Sequence, residues 1–253
     1  MNTFEYDLVM EPRALLGLVV LQSDETIEQE ARQVLPSSID LLVSRVPSGA
    51  VVTPETLKEM EDHISDAAAL FPHSAEFDAS GYACTSGTSV IGPARVAELM
   101  RSTTSTRYVT EPVSALVAAC QRMGLRKLGF LSPYVETVSD TLRAVLLEQS
   151  IETPVFGSFD EAEEARVTRI AAHSVHQAAV ALSKRSDELD AVFLSCTNLR
   201  TFSVLEDIES EIGLPVLSSN LCLLQDMLLA TGHGIDPAVL PCALTKHDGS
   251  AAL

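Results

Sequence analysis

Short apolar runs recur along this chain, each closed by a polar turn and followed by a stretch whose apolar positions return at helical spacing. The first run, Leu16 to Leu21, is continuous rather than alternating, as expected of a strand buried on both faces. It ends at Gln22-Ser23-Asp24, and a helical pattern follows from about Thr26 to Val34. A second strand is expected from Ile39 to Val46, then a loop at Pro47-Ser48-Gly49. Thr53-Pro54-Glu55 predicts a helix start, with Thr53 as the cap and Pro54 in the first turn. That helix carries Leu57, Met60, Ile64 and Ala68 on one face. A strand from Phe77 to Ala83 delivers Cys84, a turn follows at Ser86 to Ser89, and a helix runs from Pro93 to Met100. Arg107 to Thr110 is a short strand, and Pro112 to Met123 an amphipathic helix that stops near Gly124.

The same order then begins again. A strand is expected from Leu128 to Leu131, a loop at Ser132-Pro133-Tyr134, and a helix from Val138 to Leu147. Thr153 to Phe156 follows as strand, and the Ala-rich segment from Glu161 to Ser183 as one long helix opening on the acidic run 160–164, a charged first turn. Ala191 to Ser195 is the strand that delivers Cys196; Phe202 to Ile212 is helix, Pro215 to Leu217 strand, and Leu221 to Leu229 helix. Residues 1–13 are expected as an extended lead-in, and the tail beyond Gly232 carries few regular signals.

The repetition has a fixed offset. Leu16-Gly17-Leu18 recurs as Leu128-Gly129-Phe130 and Cys84-Thr85 as Cys196-Thr197, each 112 positions on (128 − 16 and 196 − 84). The predicted architecture is therefore two pseudo-symmetric α/β halves, each a small parallel, Rossmann-like sheet covered by helices, with the site in the cleft between them. The expected division is 1–111, carrying Cys84, and 112–253, carrying Cys196, with the last helix packing back on the first half.

Composition narrows the function classes. The 253 residues are 46% hydrophobic, enough for a sizeable core. There is no Trp, aromatics make up 5%, and the formal net charge is -18, which argues against nucleic acid as a partner. No apolar run approaches the roughly 20 residues of a membrane helix. Met1 to Glu11 lacks the basic and apolar regions of a signal peptide, so a cytoplasmic protein is expected. Its cysteines, Cys84, Cys120, Cys196, Cys222 and Cys242, form no Cys-x-x-Cys pair and no expected disulfide framework. His173 and His176 are three apart on a helix but lack a third ligand, so a surface role is expected and no metal. The glycines near Cys84 do not follow dinucleotide or P-loop spacing.

Cys84 and Cys196 carry the candidate chemistry. Each ends an apolar strand and is followed by Thr, at the carboxyl end of a strand where open α/β sheets bind ligands. A single such cysteine is most often an ordinary buried thiol; two in matching contexts point to function. A thiolate at a helix start is stabilised by backbone N–H groups, which lowers its pKa. Two thiols facing a flat intermediate can remove a proton from one side and return one to the other, or one thiolate can add to a double bond, allow rotation and leave. The hydroxyls of Thr85, Ser86, Thr88 and Thr197 and the amide of Asn198 suit the binding of a substrate carboxylate.

Ala83-Cys84-Thr85-Ser86-Gly87-Thr88 and Ser195-Cys196-Thr197-Asn198, together with the duplicated halves, resemble the cofactor-independent aspartate/glutamate racemase superfamily over nearly the whole chain. In particular they are similar to its maleate isomerase-related branch associated with ectoine utilisation. The resemblance implies a two-cysteine site between two α/β domains, no cofactor, and a homodimer. The superfamily's decarboxylases keep only the second cysteine, so Cys84 sets this chain apart from them. Maleate isomerases resemble it at Ser132-Pro133-Tyr134 and Thr53-Pro54-Glu55, whereas a hydroxyl residue after each cysteine looks more like the amino-acid racemases. By the same resemblance Gln22, Ser23 and Asp24, at the end of the first strand, and Tyr134 are expected to meet substrate polar groups, with Thr53, Arg45, Ser219 and Asn220 as weaker candidates. The expected activity is racemisation of an acidic amino acid such as aspartate, with Cys84 and Cys196 exchanging the α-proton. The alternatives are maleate cis-trans isomerisation with Cys84 adding to the alkene, and non-catalytic binding of a small carboxylate.

Overall fold

In the computed structural model the chain is described at residues 1, 3–8 and 13–250, with the side chains of 249 and 250 left aside. Residues 2 and 9–12 of the expected lead-in, and 251–253, lie outside the described residues. Residues 3–8 have no regular structure, and Phe4, Tyr6 and Leu8 are exposed.

The first half contains strands β1 (Ala14–Leu21), β2 (Ile39–Val46), β3 (Phe77–Ala83) and β4 (Thr106–Thr110). They alternate with helices α1 (Ile27–Val34), α2 (Pro54–Glu59), α3 (Glu61–Ala68), α4 (Thr85–Ile91) and α5 (Pro93–Thr103). After α6 (Pro112–Met123) come β5 (Lys127–Tyr134), α7 (Glu136–Glu148), β6 (Glu152–Glu161), α8 (Glu164–Val167), α9 (Ala172–Ser183) and β7 (Ala191–Leu194). A 3₁₀ turn (Phe202–Val204), α10 (Leu205–Ile212), β8 (Val216–Ser218), α11 (Ser219–Leu229) and α12 (Ala243–Ser250) complete the chain. The two four-stranded sheets have orders β2-β1-β3-β4 and β6-β5-β7-β8, and every pairing is parallel. The same spatial order arising twice is the pseudo-symmetry that the repeat predicted.

Local chemistry sets most boundaries. Thr53 caps α2 by accepting from the Thr56 N–H at 3.2 Å while the Thr53 N–H donates to the Thr56 hydroxyl at 3.0 Å. The helix expected through Ala68 is split at Met60, where a 3₁₀-type bond from the His63 N–H to the Met60 carbonyl (3.0 Å) interrupts the ladder. The expected turn after Cys84 is helical from Thr85 onward, and Gly92 separates α4 from α5 with φ 98°, which a residue lacking Cβ adopts freely. Ser132-Pro133-Tyr134, expected as a loop, continues β5. Pairing with β7 ends at Leu131–Leu194, so the missing N–H of Pro133 interrupts nothing on that side. Strand β6 runs on to Glu161 rather than stopping at Phe156, so the expected long helix is a strand end followed by the separate α8 and α9. In the tail, α12 forms where few signals were seen.

Helix α11 joins the halves. It follows β8 in sequence yet packs against α6, β3 and β4. Asp226 on α11 accepts from Tyr108 Oη (2.9 Å) and Thr110 Oγ1 (2.6 Å) on β4. The carboxyl ends of β1, β3, β5 and β7 meet in this arrangement.

Candidate active site

Cys84 follows β3 and caps α4. Its Sγ accepts from the Gly87 N–H at 3.2 Å, and its carbonyl accepts from the Thr88 N–H (3.0 Å) and hydroxyl (2.7 Å). Gly87 leaves the sulfur its space: a Cβ there would lie 2.8 Å from Cys84 Sγ and 3.0 Å from Tyr82 Oη. Cys196 follows β7 but does not open a helix. Its φ is 101°, a left-handed conformation rare for a residue with Cβ, which costs about 1–3 kcal/mol and is characteristic of functional turns. Its Sγ accepts from the Asn198 N–H at 3.3 Å, and its own N–H donates to Ser219 Oγ at 3.0 Å. The expectation that both thiols start helices therefore applies to Cys84 alone.

The two turns are stitched together across the halves. Thr197 Oγ1 donates to the Ala83 carbonyl at 3.1 Å, and Thr85 Oγ1 donates to the Ser219 Oγ that receives the Cys196 N–H, at 2.8 Å. Thr85, Thr197 and Asn198 are each at most 2% exposed, and both cysteines 4%. The loop after β2 is tied to the entry of α8 by the Val52 N–H to the Ala162 carbonyl (2.9 Å) and the Glu164 N–H to the Ala50 carbonyl (3.1 Å).

Two carboxyls also belong here: Glu164, which was not singled out as a site residue, and Asp24, which was named with Gln22 and Ser23 at the end of the first strand. Glu164, read from the sequence as a charged helical turn, is 2% exposed. Its Oε1 accepts from Tyr134 Oη at 2.6 Å and its Oε2 from Asn198 Nδ2 at 2.9 Å, while Tyr134 Oη lies 2.9 Å from Cys196 Sγ. Cys196, Tyr134 and Glu164 thus form a continuous chain along which a proton can pass. Asp24 is also buried. Its Oδ1 accepts from the N–H groups of Thr26 (2.8 Å) and Ile27 (2.9 Å), while its Oδ2 has no partner. A charged run in a sequence gives no sign of which member turns inward; only the length of β6 decides that Glu164 does. Asp24 does carry a signal, since it closes the first strand.

Burial governs the electrostatics. It pushes the Cys84 thiol up to about 12, with Glu164 and Asp24 adding to the rise and the Gly87 N–H opposing it. Cys196 is raised well above the usual thiol range by burial and then by Glu164. The lowered pKa expected from a helix start is reversed, because a few N–H donors do not compensate for loss of water around a buried anion. Burial likewise raises Glu164, and lifts Asp24 to about 7 against the N–H groups of Thr26 and Ile27.

The other sequence candidates lie at varying remove. Ser86, on the first turn of α4, is 6% exposed. Ser23 is half-buried, with its hydroxyl 3.2 Å from that of Ser48 and its carbonyl accepting from Asn198 Nδ2 at 3.2 Å. Gln22 is exposed and its N–H continues the sheet to the Val46 carbonyl, as in a plain turn. Thr53 is engaged in its cap. Arg45 braces the end of β1 through the carbonyls of Leu21 (3.0 Å) and Asp24 (2.9 Å) and pairs with Glu28. Ser219 bridges the two cysteine turns, and Asn220 Nδ2 donates to Glu30 Oε2 (2.7 Å) and the Thr197 carbonyl (2.8 Å). Among the described residues no group of three or more His, Cys, Asp or Glu is placed to hold a metal ion; His176 Nε2 lies 3.4 Å from Glu211 on the helix surface. No helix among them is long and apolar enough to cross a membrane.

A chain with these two turns has recognisable relatives. It is 24% identical over 225 residues to the maleate isomerase of Geobacillus stearothermophilus, covering 81% of this chain and 86% of that protein. A liganded double mutant of arylmalonate decarboxylase superposes with a TM-score of 0.82 at 22% identity, over 92% of this chain and 98% of that one. A cysteine variant of the Nocardia farcinica maleate cis-trans isomerase, described with a covalently bound succinylcysteine intermediate, gives 0.75 at 22% identity, over 91% and 99%. The sequence pattern of the arylmalonate decarboxylase family matches from residue 16 to residue 238, nearly the span of both sheets, and the chain belongs to that family.

Proposed function

We propose that the protein is a cofactor-independent isomerase of a small carboxylate, with Cys84 and Cys196 as the reacting groups. The observation that carries this reading is the hydrogen-bonded seam of Thr197 to Ala83 and Thr85 to Ser219 to Cys196, which brings two otherwise remote thiols to one site. The relatives favour cis-trans isomerisation of the maleate type over racemisation. In that reaction Cys84 gives its proton to a neighbouring carboxylate and its sulfur bonds to one alkene carbon. Cys196 gives its proton to the adjacent carbon, leaving a thioether about whose carbon–carbon single bond the chain rotates. Cys196 then takes a proton back, the carbon–sulfur bond breaks with its electron pair returning to sulfur, and the trans alkene leaves. The carboxylate that took the first proton then returns it to the Cys84 thiolate, which closes the cycle, and the Tyr134–Glu164 chain sets the protonation of Cys196 before the first transfer. Backbone N–H groups at the start of α4 and the hydroxyl of Ser86 are the donors for the substrate carboxylate.

A second reading is proton exchange at Cα of an amino acid, one thiolate removing the proton and the opposite thiol supplying another. The specific observation favouring it is the acidity of the site, where Asp24 and Glu164 bear on both sulfurs and, among the described residues, no Lys, Arg or His is buried. The same proposal includes a homodimer in the cytoplasm, halves divided at residues 111 and 112, and a place in the ectoine-utilisation branch, supported by the two Cys-Thr motifs. The test is incubation with maleate while following fumarate, and with aspartate in deuterated water while following label at Cα. Each is run with wild type, Cys84→Ser and Cys196→Ser. Loss of turnover in both variants is expected. Undiminished turnover in both refutes a reaction at these thiols.

A further inference from the structure

We infer that Tyr82 is a catalytic donor, whose hydroxyl holds the Cys84 sulfur while that sulfur is anionic. The inference rests on the two-thiol reading above and adds to it a group that lets Cys84 ionise in a buried site. Tyr82 lies on β3, two positions before Cys84, and is 0% exposed. Its Oη and Cys84 Sγ flank the space that Gly87 leaves open, 3.0 and 2.8 Å from the point where a Cβ would stand. A buried phenol hydroxyl ordinarily finds a good hydrogen-bond partner. This one donates to the thioether of Met60 at 3.7 Å, which is a weak acceptor. A thiolate is a strong acceptor, so the hydroxyl gains a better partner when Cys84 loses its proton. That is how a preorganised donor favours a charge that develops during reaction. The Tyr82 hydroxyl and the Gly87 N–H both oppose the rise that burial imposes on the Cys84 thiol.

The internal repeat separates this role from packing. At the offset of 112 that relates the halves (82 + 112), the counterpart of Tyr82 is Leu194, equally buried on β7 and without a hydroxyl. Packing at this place is thus satisfied by an apolar side chain, and the O–H at residue 82 is an addition to it. Cys196 also has a tyrosine beside it, but one from a different strand and differently engaged. Tyr134 Oη donates to Glu164 Oε1 at 2.6 Å, which leaves its oxygen to accept from the Cys196 thiol at 2.9 Å. A hydroxyl has one proton to give. That of Tyr134 goes to a carboxylate, whereas that of Tyr82 is committed to no carboxylate among the described residues and is available to sulfur.

The experiment compares wild type, Tyr82→Phe and Met60→Leu. Each is alkylated with iodoacetamide over a series of pH values below the thiol range, and modification is read separately at Cys84 and Cys196 by peptide mass spectrometry. Cys196 serves as the internal measure of access to the site. Conversion of maleate by the same preparations gives kcat and KM. Loss of a charge-assisted bond lowers the thiolate population by about tenfold to hundredfold, and the greater nucleophilicity of a more basic sulfur returns part of that. Tyr82→Phe is expected to slow alkylation of Cys84 about threefold to tenfold relative to Cys196, and to lower kcat about tenfold or more at a KM within about threefold. Met60→Leu, which leaves the hydroxyl with the one sulfur, is expected to alkylate at Cys84 at least as fast as wild type. An unchanged ratio of Cys84 to Cys196 alkylation in Tyr82→Phe overturns the inference, as does slower alkylation of Cys84 in Met60→Leu. The Met60→Leu arm decides the question by itself where Tyr82→Phe does not fold. If the ratio is unchanged while conversion of maleate still depends on both thiols, the isomerase stands without this donor. If conversion depends on neither cysteine, the isomerase reading falls, and the alkylation ratio still reports the bond.

Discussion

Replacing Gly87 by Ala tests whether the Cys84 sulfur reacts, by crowding it without touching its chemistry. The added Cβ would lie 2.8 Å from Cys84 Sγ, 2.8 Å from Met60 Cε and 3.0 Å from Tyr82 Oη. Two of these neighbours are the ends of side chains that can yield, and Met60 is flexible. The sulfur can yield only by turning away from the Gly87 N–H that now donates to it at 3.2 Å. On stability two effects oppose. Overpacking in a buried site costs about 1–3 kcal/mol, while Ala in place of Gly within a helix returns about 0.8–1 kcal/mol. The expected net loss is about 0–2 kcal/mol, a small shift in a denaturant midpoint. On turnover the balance differs, since a displacement near 1 Å of a reacting atom costs about a hundredfold. The assay is kcat for fumarate formation or Cα labelling beside urea denaturation of the same preparation. A variant folded within about 2 kcal/mol of wild type and at least tenfold slower is expected. Full activity refutes the reasoning, because a sulfur pushed out of its place would then be irrelevant to the reaction.

Tyr134→Phe removes the hydroxyl between Glu164 Oε1 and Cys196 Sγ. It is expected to lower kcat by about 10²–10⁴-fold with a stability loss of about 1–3 kcal/mol, from a proton path cut and a buried carboxylate oxygen left short of a donor; kcat unchanged across pH would exclude the relay. Asp24 predicts an unusual pH dependence of stability. Its carboxyl is raised from 3.8 to about 7 in the folded protein, so the folded state binds the proton more tightly, and its contribution is present at low pH and lost as pH rises from about 4 to about 7. Unfolding free energy from urea titrations is expected to fall over that window in wild type, by up to about 1.4 kcal/mol per pH unit, and to be flatter in Asp24→Asn. Identical slopes in the two proteins would show that Asp24 titrates normally.

Strand β2, strand β3 and helix α6 were legible to the residue because their signals are local. An apolar-rich segment bounded by polar turn residues, a proline at the first helical turn and a glycine just past the last are properties of the segment itself. The double occurrence of Cys-Thr at one offset was local too, and it marked the two turns that the fold brings together. At Ser132-Pro133-Tyr134 and at the end of β6 this reasoning failed. Whether Pro133 interrupts a strand depends on which neighbours the strand has at that point, and β7 has already left it. The length of β6 in turn decided that Glu164 would enter the site rather than coat a helix.

By itself, then, the order of residues determined the alternating elements, the twofold repeat and the identity of the two thiols, since periodicity and turn chemistry act over a few neighbouring positions. Tertiary structure alone decided the environment of those thiols. The seam between Thr197 and Ala83, the inward carboxyls of Asp24 and Glu164, and the raised pKa of those two carboxyls arise from groups more than a hundred positions apart or from water excluded by packing. Burial free energy belongs to the whole assembly of layers, so no single stretch of chain could announce it.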